Sequence, residues 1–114
     1  MSALTYHLEL EAGASYSATF LYRQADGVTP VNLTGWTALA QIRRSPYDSS
    51  TEPLVEVVPD ITALTGQVVL ALTAEQTRAA VDGGAWALEL TNTGGEPVVR
   101  LVHGRVKVSP EVVH

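Results

Sequence analysis

The sequence contains no cysteine and a single lysine, Lys107, and each scarcity closes a class of function. Without thiols there are no disulfides and no thiolate metal sites, so core packing and hydrogen bonds must hold the fold. Twelve acidic residues against seven basic ones give a formal net charge of −5. The arginines are scattered, only Arg43 and Arg44 being adjacent. A nucleic-acid binder concentrates its cations on one surface, so no nucleic-acid partner is expected, and Arg43–Arg44 reads as a solvated strand terminus. No apolar run approaches the ~20 residues of a membrane helix. The opening Met1-Ser2-Ala3-Leu4 lacks the basic and apolar regions of a secretory signal. The expectation is a soluble chain with no membrane partner.

What is present suits one core. The chain has 114 residues, 46% hydrophobic and 17% charged, which fits a single domain over 1–114 and argues against disorder. The dominant period is two, the mark of strands buried on one face. Tyr6, Leu8 and Leu10 alternate with His7, Glu9 and Glu11 up to Gly13. Tyr16, Ala18, Phe20 and Tyr22 form a second inward phase. Residues 23–35, with Asp26-Gly27 and Pro30, read as a long connection. Trp36, Ala38, Ala40 and Ile42 then share a face, and residues 45–53 are polar and turn-rich.

The second half continues the pattern. Leu54 to Val58 is a short strand ended by Pro59-Asp60, and Val68, Leu70 and Leu72 follow Gly66. Thr73 with Gln76 has the capping-box spacing, so a helix of one or two turns is predicted over 74–81, stopped by Asp82-Gly83-Gly84. Trp86, Leu88 and Leu90 form the next inward phase. A hairpin loop at 92–95 leads to Val98–Val102, interrupted at Gly104 and resumed over 105–108. About eight short strands at this cadence predict an all-β fold, a sandwich of two antiparallel sheets. The strands follow one another too closely for helical crossovers.

A search for chemistry in this sequence finds no constellation. His7 lies on an outward phase, His103 precedes Gly104, and His114 is the last residue; none has a nucleophile elbow beside it. Asp26-Gly27 and Asp48-Ser49-Ser50 lack the glycine and glutamate spacing of a calcium loop. Glu9, Glu11, Glu56 and Glu89 fall on outward phases, where glutamates more often solvate a sheet than hydrolyse a glycoside. Trp36 and Trp86 lie in inward phases and are read as core, which leaves Tyr47 as the exposed aromatic candidate for sugar binding. No catalytic residue, metal ligand or cofactor is expected.

One ordered set of strings stands out. Val31-Asn32-Leu33-Thr34-Gly35-Trp36-Thr37-Ala38-Leu39-Ala40-Gln41-Ile42-Arg43 resembles a signature of small bacteriophage virion proteins: Leu-Thr-Gly, an aromatic, Thr-Ala, then Gln and Arg. The similarity continues in Gly66–Thr77, in Trp86–Leu90 and in Val99–Val112, covering roughly residues 5–112. Such domains are found at the N-terminus of baseplate upper proteins and tail-fibre proteins, and as separate virion proteins.

The resemblance implies an immunoglobulin-like sandwich and a non-enzymatic role in the tail, baseplate or fibre-attachment apparatus. It also implies other virion proteins as partners, a homo-oligomeric state on the particle, and synthesis in the host cytoplasm before assembly into the virion. A capsid or collar decoration protein is the alternative, and a carbohydrate-binding module or a small hydrolase the readings from other classes. The residues themselves explain the motif as punctuation: Asn32 and Thr34 bond to their neighbours, Gly35 turns, and Trp36 anchors the next strand in the core. Contacts with partners are expected in loops 23–35 and 44–53 and at the termini.

Overall fold

Alternating burial sorts nearly every strand residue to one of two faces. The computed structural model describes residues 4–24, 27–45, 53–92, 94–95 and 98–110, and they form an all-β sandwich of two sheets. Along the chain come β1 (Leu4–Thr5), β2 (Leu8–Glu11), β3 (Tyr16–Leu21), β4 (Thr37–Arg43), β5 (Val55–Val57), β6 (Asp60–Thr62) and β7 (Gln67–Leu72). A short helix α1 (Ala74–Ala79) then crosses to β8 (Gly84–Thr91), and β9 (Val98–Ser109) completes the fold. The larger sheet runs β9-β8-β4-β5, with β1 and β2 both along the outer edge of β9; the smaller is β3-β7-β6.

The core lies between them. Leu8, Leu10, Ala38, Ala40, Ile42, Trp86, Leu88, Leu90, Val102 and Val106 from the larger sheet meet Phe20, Val68, Leu70 and Leu72 from the smaller. Small alanines in β4 let the second sheet approach closely, and the apolar area removed from water drives the packing. Helix α1 has the expected capping box, Thr73 Oγ1 accepting from Gln76 N and Gln76 Oε1 from Thr73 N. It ends at Ala79, two residues short of the predicted span.

Several expectations need correction. The N-terminal strand pairs with β9 in parallel, not antiparallel, Leu4 opposite Val102 and Leu8 opposite Val106. A parallel pair needs a long connection, and here almost the whole chain provides it. Pro59-Asp60 does not simply end a strand, because Asp60–Thr62 pairs with β7 as β6. Gly104 does not interrupt β9, which is continuous from Val98 to Ser109. Trp36 stands before β4 and is only half-buried, its ring edge-on to Tyr22 at 6.5 Å. The buried anchor of that motif is Leu33, 1% exposed inside the stretch read as loop.

The rest of the motif behaves as punctuation. Asn32 Oδ1 accepts from Thr34 N at 3.0 Å and from Thr34 Oγ1 at 2.6 Å, and Gly35 takes a φ of 83°. Tyr6, expected in the core, is 41% exposed, yet its ring meets Phe20 edge-on at 5.3 Å. Asp26, Tyr47, Asp48-Ser49-Ser50 and His114 lie outside the described residues, as does most of loop 44–53.

Candidate interaction surface

The outward phases of the larger sheet build a concave surface, a trough of about 580 Å³. Register fixes its layout. Arg43 on β4, Ala85 on β8 and Arg105 on β9 stand side by side; the next row is Gln41, Ala87 and His103, and the third Leu39, Glu89 and Arg100. The half-buried Ala85 and Ala87 form a floor along β8, with longer side chains rising on either side. Arg100 and Glu89, 3.5 Å apart, close one end. A β-bulge in the β8–β9 ladder between Leu88 and Glu89 sets that pairing.

Polar contacts orient the walls. Arg43 Nη2 donates to Gln41 Oε1 at 3.1 Å, and Gln41 Nε2 donates to Glu56 Oε2 at 2.8 Å. His7 Nδ1 accepts from the Arg105 backbone N–H at 3.0 Å, bridging the gap between β1 and β2. His7 and His103 both line the trough, His103 exposed at its rim and His7 held by that contact. Glu56 and Glu89 are each engaged by a neighbour, while Glu9 and Glu11 alternate with the buried leucines along β2.

Trp86 and Tyr16 are held by contacts beneath the surface. Trp86 is 3% exposed, and its Nε1–H donates to the Tyr6 carbonyl at 2.7 Å, with Phe20 at 5.8 Å between ring centroids. Burial, followed by a hydrogen bond with Tyr6 and the charge of Glu9, holds the Tyr16 phenol far above the ordinary tyrosine range. Thr77, which the periodicity did not single out, is fully buried; its hydroxyl accepts from Gly13 N and donates toward Ala14 O and Ala74 O. It pins α1 to the β2–β3 turn.

Among the described residues no group of three or more His, Asp or Glu is placed to hold a metal ion. No helix among them is long and apolar enough to cross a membrane. Every buried side-chain polar atom described has a partner, so no orphaned group points to a missing ligand. What the trough offers is shape and charge: a small-residue floor between arginines. The phase of Ala85 and Ala87 is readable in the sequence, whereas the apposition of Arg43 and Arg105 depends on a strand order that periodicity does not give. Among known proteins, no family model matches the chain and no curated protein matches it at a significant level.

Proposed function

We propose that this protein is a non-enzymatic structural component of a bacteriophage virion, built into the tail, baseplate or fibre-attachment apparatus through protein–protein contacts. The observation that carries the reading is the run Asn32-Leu33-Thr34-Gly35-Trp36, whose resemblance to virion proteins concerns residues with structural work to do. Asn32 caps the turn, Leu33 is buried and Gly35 turns the chain into β4. A motif of that kind unites proteins by fold, and a building block is the role such structural punctuation suits.

The strand order supports the immunoglobulin-like part of the proposal. The order β3-β7-β6 corresponds to strands B, E and D, and β9-β8-β4-β5 to G, F, C and C′ of a variable-type domain. In this reading the partners are other virion proteins, and the protein is made in the host cytoplasm before assembly. A symmetric axis of the particle would present it as a homo-oligomer.

Particles purified to constant density and probed with an antibody to the chain test the proposal. The chain should co-purify with intact particles, and gold label should decorate the tail end. Its absence from washed particles would overturn the virion role, and label on the head would move it to capsid decoration.

A further inference from the structure

We propose that the trough along β8 is a docking site for an extended, acidic segment of a partner polypeptide, with a carboxylate seated between Arg43 and Arg105. The inference rests on the assembly reading and names the surface and the partner chemistry for it. Charge points there first. Among the described residues the lining carries three arginines, Arg43, Arg100 and Arg105, and one acid, Glu89, in a chain whose net charge is −5. Cations outnumber acids in the described lining although acids outnumber cations in the chain, and the complementary partner is acidic.

Shape narrows the occupant. Arg43 and Arg105 flank Ala85 from the two neighbouring strands, which places their backbones about 10 Å apart. An extended chain fits between such walls, while a helix with its side chains is itself about 10–12 Å across. The floor runs along β8 from Ala85 toward the Glu89–Arg100 pair, so the natural direction of an occupant is along the strand.

Orientation adds specificity. The relay from Glu56 through Gln41 to Arg43 aims one guanidinium, and the His7 contact fixes the backbone of Arg105. Planar guanidiniums held this way match the two oxygens of a carboxylate. Among the described lining residues the one Trp, Tyr or Phe is Trp86, and it is buried in the core rather than offered as a stacking face for a saccharide.

A fluorescent deca-glutamate peptide is a suitable probe, followed by anisotropy at low and moderate salt, with thermal melts to verify folding of each variant. The wild-type chain should bind it, more weakly as salt screens the charges. Arg105→Gln should weaken binding about tenfold, or about 1.4 kcal/mol. Ala87→Gln should match that loss by filling the floor without changing charge. Arg78→Gln, on α1 away from the trough, should leave binding unchanged.

No binding by the wild type, equal loss from Arg78→Gln, or wild-type binding by Ala87→Gln would overturn the proposal. So would tighter binding of an oligogalacturonate, which marks a saccharide site, or self-association abolished by Arg105→Gln, which makes a second copy the occupant. The two readings fail separately. A chain absent from purified particles sinks the virion role and leaves the peptide titration to decide the trough. A chain present in particles that ignores the peptide sinks the trough alone.

Discussion

Replacing Gly104 with alanine probes the place where the N-terminal strand crosses β9. A Cβ built there collides with the Tyr6 carbonyl oxygen, comes within 2.7 Å of the Tyr6 carbonyl carbon and lies 3.1 Å from the His7 ring nitrogen Nδ1. The obstacle is backbone, so no side-chain rotation relieves it. Forcing the segment outward costs about 1–3 kcal/mol as overpacking. It also pulls the Tyr6 carbonyl from the buried Trp86 N–H, now 2.7 Å away, which costs about 1–3 kcal/mol more as an unsatisfied donor.

Gly104→Ala should therefore lose about 2–6 kcal/mol in urea unfolding, and its Tm should fall by at least about 8 °C. Because part of that loss is the Trp86 hydrogen bond, Trp86→Phe in the same chain should make the alanine about 1 kcal/mol cheaper than in the wild type. A Gly104→Ala protein within about 0.5 kcal/mol of wild type, a spread ordinary for surface changes, would refute the close crossing. Strict additivity with Trp86→Phe would refute the hydrogen-bond share of the cost.

The two tryptophans should separate in the same assay: Trp86→Ala should cost about 3–5 kcal/mol, and the half-buried Trp36→Ala distinctly less. Equal losses would put Trp36 back in the core. Thr77→Val keeps the volume of a fully buried side chain but removes the hydroxyl that serves Gly13, Ala14 and Ala74. About 1–3 kcal/mol should be lost, with amide exchange rising first in α1 and the β2–β3 turn; unchanged exchange there would count against the link. The raised Tyr16 phenol means that the folded state holds its proton while the unfolded chain releases it. Stability should be level with respect to this group at lower pH and should fall as pH rises past about 10, the ordinary tyrosine value. Tyr16→Phe should flatten that fall, and an identical pH profile would exclude Tyr16 as its source.

Much of the fold was legible because burial alternates faithfully: Leu8 and Leu10, Ala38 to Ile42, Val68 to Leu72 and Trp86 to Leu90 all point inward as their phases require. The capping box at Thr73 was equally plain, since its signal is local. What escaped was set by distant contacts. Strand β6 is too short to show a period and follows a proline, and its pairing with β7 defines it. Leu33 sits in a stretch without alternation and is recruited by the core. Gly104 read as a break because a strand glycine usually weakens a ladder, whereas here it admits a crossing backbone. The trough was half visible: its alanine floor follows from the phase of β8, but the facing of Arg43 and Arg105 follows from sheet order alone.

The parallel edge also has a mechanical meaning. With Leu4 beside Val102 and Glu11 beside Ser109, the first strand enters at one pole of the sandwich and the last strand leaves at the opposite one, about 25 Å away along β9. Tension applied between the two ends pulls β2 and β9 in opposite directions along their common axis. The hydrogen bonds joining them are then sheared together, where an antiparallel terminal pair would open one bond at a time like a zip. A module wired this way can be placed in line between two pulling neighbours and resist until the whole patch gives way at once.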